Sequence, residues 1–162
     1  MNEQLVLGLT LKETLQKEDF FISPSNLEAV TLLDNTEHWG SGALLLVGPK
    51  GSGKTHLSLI WCKENDAKYL ELGSVLQEME KGLAHHTVCV EDIHIIANAE
   101  SQKKSKIEEG IFHLINNVGS RGGKLLISSS EMPDALSIGL KDLESRLQSF
   151  SKTNIKEPDD SL

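Results

Sequence analysis

Eight consecutive residues, Gly48-Pro49-Lys50-Gly51-Ser52-Gly53-Lys54-Thr55, have the types and spacing to hold a polyphosphate. The pattern GxxxxGK[ST] asks something physical of each position. Glycines let the backbone curl so that successive N–H groups converge on phosphate oxygens. Lys54 brings a positive charge to the β- and γ-phosphates, and the Thr55 hydroxyl is a hard oxygen ligand suited to Mg²⁺. A helix starting here would turn its positive N-terminal end toward the same anion. The competing reading is an ordinary glycine-rich turn. An apolar run before the motif (Ala43 to Val47) and a helix-forming run after it (Thr55 to Lys63) favour the phosphate loop. The chain is expected to bind a nucleoside di- or triphosphate.

A second signal lies downstream. Val88-Cys89-Val90-Glu91-Asp92 is an apolar strand ending in two carboxylates, where a P-loop nucleotide hydrolase keeps its Walker B acids. Glu91 would face Mg²⁺ and Asp92 the attacking water. The bland alternative is a strand whose acids cap a loop. His85, Cys89, Glu91 and His94 have no zinc-site spacing.

These residues need a scaffold. Apolar runs bounded by turn residues alternate with amphipathic stretches, which predicts strands at 43–48, 68–72, 87–91, 124–129 and 153–157. Helices are predicted at 25–34, 54–64, 73–81, 106–118 and 140–149, with Ser25 capping the first and the Gly119 to Gly123 stretch ending the fourth. Such alternation implies an α/β fold, a five-stranded parallel sheet with helices on both faces and its ligand at the carboxyl ends of the strands.

Composition narrows the function. The 162 residues carry a net charge of −8 and only two arginines, Arg121 and Arg146. That field opposes nucleic-acid phosphate and anionic lipid, so little direct DNA binding is expected. Cys62 and Cys89 read as small buried hydrophobes, and Arg121 as a solvated loop residue. No stretch has the apolar length of a membrane span, and the N-terminus lacks signal-peptide features, which predicts a cytoplasmic protein.

Six segments, taken in order, resemble the DnaA/Hda branch of the AAA+ ATPases, most closely the Hda-type regulators. They are Phe20-Phe21-Ile22-Ser23-Pro24-Ser25-Asn26, the loop from Gly48 to Thr55, Glu91-Asp92-Ile93-His94, Phe112 to Asn116, Leu126 to Ser130 with Pro133, and Asp142-Leu143-Glu144-Ser145-Arg146-Leu147. The resemblance implies an AAA+ core over residues 13–158 that binds ADP or ATP with Mg²⁺, with Phe21 and Ile22 on the adenine side. It makes Ser130 the sensor 1 residue and Arg146 an arginine finger offered to a neighbouring molecule. Leu5, Leu7 and Leu9 alternate as in an extended segment with one apolar side. By resemblance, residues 1–12 would be a peptide that docks on the DNA polymerase sliding clamp through Gln4, Leu5, Leu7 and Leu9. The partners implied are the clamp and the DnaA-type initiator, whose ATP hydrolysis the protein would promote.

The sequence departs from this family in three places. Glu91 replaces the usual Asp, Ser130 replaces the usual sensor 1 Asp, and the family's helical lid would begin in the acidic tail at 159–162. Nucleotide binding is therefore expected to outlast catalysis. Two rivals stand beside the regulator reading, a DNA-binding AAA+ loader-type ATPase and a small P-loop kinase. The negative charge opposes the first. The shortage of arginines opposes the second, because phosphoryl transfer needs positive charge on the phosphates in flight.

Overall fold

A computed structural model of the chain describes residues 22–157. The leucine-bearing peptide 4–9, Phe21 and the tail at 159–162 lie outside these residues. Five strands form one all-parallel sheet: β1 (Ala43–Val47), β2 (Lys68–Glu71), β3 (Val88–Glu91), β4 (Leu125–Ser129) and β5 (Ser151–Asn154), in the order β2-β3-β4-β1-β5. The helices are α1 (Leu27–Asp34), α2 (Lys54–Asn65), α3 (Val75–Glu80), α4 (Ser101–Ser120) and α5 (Lys141–Ser149).

Strand periodicity divides the core in two. Leu44 and Leu46 of β1, with Cys89 and Leu126, face α1 and α2, where Leu57, Ile60 and Trp61 are buried. Trp61 stacks on Trp39 at a centroid distance of 5.3 Å. Ala43, Leu45, Val47, Val88, Val90 and Ile127 face the other way, onto α3, α4 and α5. Handedness explains the unequal division. The chain leaves β1 across two strands to reach β2, then returns through β3 and β4 and passes over β1 to β5. Right-handed crossovers running in opposite directions must place their helices on opposite faces. The reversal puts the carboxyl ends of β1 and β4 side by side with their following segments diverging, which opens a crevice at that point.

The five expected strands and five expected helices are all present, with shifted ends. α4 starts at Ser101, ahead of the expected 106, because its first turns (Ser-Gln-Lys-Lys-Ser) are largely exposed and carry no apolar period. It ends inside the Gly119 to Gly123 stretch, where Gly122 (φ +71°) lets the Gly122 N–H reach Gly119 O and the Gly123 N–H reach Val118 O. β5 starts at Ser151 rather than 153, since Ser-Lys-Thr-Asn is an edge strand beside β1 with little apolar content to signal it. Ser25 does not cap α1. Asn26 holds that position, and the Ser25 hydroxyl pairs with that of Ser23.

Candidate functional site

The phosphate loop joins β1 to α2 at the crevice. The Gly48 N–H donates to Ser129 O of β4, which fixes the start of the loop against the neighbouring strand. A Cβ at Gly48 would stand 2.7 Å from Ser52 Oγ and 3.0 Å from Ile155 O, so only glycine fits. Gly51 and Gly53 take φ of +83° and +99°, the left-handed region that a side chain disfavours. No side chain caps the N-terminus of α2, which leaves its first N–H groups to face an anion. The Ser52 hydroxyl is buried inside the curl with no partner among the described residues. This is a cradle of backbone donors and one orphaned hydroxyl.

Lys54 is buried, and its Nζ donates to Gly48 O at 2.5 Å and Pro49 O at 3.1 Å, leaving one N–H for a ligand. Burial lowers its pKa, and the charges of Asp92 and Glu91 partly oppose that shift. A cavity of about 730 Å³ gathers Lys50, Gly51, Gly53, Lys54, Thr55, Asp92, His94 and Ser130. The sheet thus brings together residues far apart in sequence. Its oxygen donors, Thr55 and Asp92, have the hard chemistry that Mg²⁺ requires.

The two acids that close β3 part company. Glu91 is 5% exposed and accepts from both sides, at Oε2 from the Tyr69 hydroxyl (2.5 Å) and at Oε1 from the Ser128 hydroxyl. It lines an adjoining cavity with Tyr69 and Ile107. Asp92 turns into the left-handed region (φ +55°), its N–H donating to Ser128 Oγ at 2.9 Å, and lines both cavities. Desolvation, and then the bond to Glu91, push the Tyr69 phenol well above its ordinary value. Ser130 donates its N–H to His94 Nδ1 at 3.0 Å. An acceptor at Nδ1 means the neutral ring carries its proton on Nε2.

Tyr69, Ser128 and His94 are site residues that motif reading passes over. In the sheet Tyr69 lies opposite Cys89, and alternation puts it on the same face as Glu91. His94 re-enters the cavity because the left-handed turn at Asp92 starts a 3₁₀ segment, Ile93–Asn98. Arg146 lies outside the phosphate cavity. It is exposed on α5, its guanidinium 5.4 Å from the centroid of the Phe112 ring, and among the described residues it pairs with neither Asp142 nor Glu144. Arg121 is tied down rather than merely solvated, because Nη1 donates to Leu83 O at 2.7 Å. Ile22 packs at the edge of the α1–α2 cluster. Cys62 and Cys89 are buried and free, and the Cys89 thiol is pushed up by its contact with Cys62 and by burial.

Solved structures share this architecture. AMPPCP-bound DnaA from Aquifex aeolicus superposes with a TM-score of 0.71 at 16% identity, over 92% of this chain and 50% of that one. The AAA domain of FIGL-1 gives 0.52 at 16% identity, over 74% of this chain and 44% of its own. The chain has the AAA+ P-loop fold. No family model matches the sequence. An uncharacterized Haemophilus influenzae protein is 32% identical over 161 residues, 91% of this chain and 66% of that protein. The chromosomal replication initiator DnaA of Caulobacter vibrioides is 26% identical over 149 residues, 78% of this chain but only 29% of DnaA. The chain thus spans about two thirds of the first of these relatives and less than a third of the second. Among the described residues no helix is long and apolar enough to cross a membrane.

Proposed function

We propose that this AAA+ module binds ADP or ATP with Mg²⁺ and regulates the initiation of DNA replication more than it turns over nucleotide itself. The observation that carries the reading is the cradle between β1 and α2, where Lys54, Thr55 and the uncapped helix start converge on one cavity. Mg²⁺, when bound, would neutralise phosphate charge. Thr55 and a carboxylate at the end of β3 are the residues to hold it. Ile22, with Phe21, supplies the adenine side. Ser130 offers a hydroxyl where a carboxylate would otherwise act, which supports slow intrinsic hydrolysis. The similarity to DnaA supports a place in initiation control. In the fuller form of this reading, Gln4, Leu5, Leu7 and Leu9 dock on the sliding clamp, and Arg146 meets ATP held by the DnaA-type initiator.

The test is calorimetric titration of ADP into the full chain and its Lys54→Ala variant. Loss of a charge-assisted hydrogen bond should weaken binding by about 1.5–3 kcal/mol, roughly ten- to a hundredfold in Kd. Equal affinity of the two proteins would remove the nucleotide reading.

A further inference from the structure

The two acids at the end of β3 are adjacent in sequence but face different surroundings. Glu91 is enclosed, with one oxygen held by the Tyr69 hydroxyl of β2 and the other by the Ser128 hydroxyl of β4. A serine hydroxyl has one proton. Ser128 commits it to Glu91 and uses a lone pair to accept the Asp92 N–H. The same hydroxyl therefore clamps one acid by its side chain and the next by its backbone. Clamping at its N–H holds Asp92 in the left-handed conformation, which Asp tolerates better than most residues. Lys54 shares its cavity with Asp92 and not with Glu91, while Thr55 and Asp92 line both that cavity and the adjoining one where Glu91 lies. The longer Glu side chain is held between hydroxyls from its two neighbouring strands.

We infer that Asp92 is the carboxylate presented to the nucleotide's divalent cation, and that Glu91, with Tyr69 and Ser128, is a positioning element that sets the Asp92 turn. The inference rests on the nucleotide-binding reading. Mg²⁺ retains most of its waters and takes one or two carboxylates beside the phosphates, so a single acid on the cavity wall meets its need. Glu91 then acts through hydrogen bonds to its neighbours, not on the cation.

The experiment measures the ADP affinity of the full chain with Mg²⁺ and again with EDTA, in wild type, Asp92→Asn, Glu91→Gln, Tyr69→Phe and Glu91→Gln/Tyr69→Phe. Asp92→Asn should lower the ratio of the two affinities roughly 10–100-fold while leaving the metal-free affinity in place. Glu91→Gln and Tyr69→Phe should each lower it only severalfold, and the double variant no further than Glu91→Gln alone, since Tyr69 works through Glu91. The assignment is overturned if Glu91→Gln loses as much as Asp92→Asn, or if Asp92→Asn keeps the wild-type ratio. Folded wild type that binds no ADP under either condition would overturn the nucleotide reading itself, which is a separate result. Thermal melting of each variant checks that a loss is not unfolding, and Asn suits the left-handed turn as well as Asp does.

Discussion

At the level of single residues, Tyr69 offers a direct physical readout because it is the chain's sole tyrosine. Burial raises its pKa first, and the hydrogen bond to Glu91 adds to that. The sign follows. A phenol whose folded pKa exceeds its unfolded value near 10.0 gives stability that is fully present below pH 10 and is lost as pH climbs through the folded value. Native protein brought just above pH 10 should therefore show no tyrosinate absorbance, whereas urea-unfolded protein at the same pH should show it. Glu91→Gln should lower the native transition only in part, because desolvation is the larger cause. A native titration at the ordinary value would mean that the Tyr69–Glu91 bond is absent in solution.

Among elements, the approach to α5 depends on one buried carboxylate. Glu108 of α4 is 4% exposed and accepts the N–H groups of Gly139 at 3.0 Å and Leu140 at 2.8 Å, just before α5 begins. Glu108→Ala would leave both donors unmatched and lower stability by about 1–3 kcal/mol in urea unfolding. Glu108→Gln, which keeps one acceptor, should cost less. If Ala and Gln are equally benign, α5 is held by Leu143 and Leu147 alone. Most elements were legible from sequence because each displays a buried face: the apolar β1, β3 and β4, and the periodic second half of α4. Their ends were harder to read. The first turns of α4 and the edge strand β5 gain their structure from neighbours rather than from apolar residues of their own. The cradle was legible because its chemistry is contiguous. Tyr69, Ser128 and His94 were not, since what joins them is strand order and a left-handed turn, neither of which is written in any local motif.

For the whole molecule, the question is what the module does to another molecule. Arg146 stands apart from the phosphate cavity and rests on Phe112 of α4, so its charge remains available at the surface. In the proposed regulatory role, Arg146→Ala should leave ADP affinity unchanged yet abolish stimulation of ATP hydrolysis by the DnaA-type initiator on clamp-loaded DNA. Removing an arginine finger typically costs roughly 10³–10⁵ in rate. Lysine should not restore it, because an ammonium cannot reproduce the planar fork. Undiminished stimulation by the Ala variant would reduce Arg146 to a surface residue packed on an aromatic ring. Net charge sets the context for this test: at −8 the module's own field opposes a direct approach to DNA.

The place of β1 between β4 and β5 also governs how the chain comes into being. Its two partners are residues 125–129 and 151–154, both encoded far downstream of the phosphate loop. During translation the most apolar strand of the sheet emerges early and waits, unpaired, until much of the chain has followed. Pairing across such separations is slow and leaves a sticky strand exposed meanwhile. Because the Gly48 N–H is anchored on Ser129, the cradle takes its final shape only after β4 arrives. Nucleotide therefore cannot template the early chain. It can only stabilise a nearly finished one, and a nascent polypeptide halted before β4 would present that strand to chaperones with no pocket to offer.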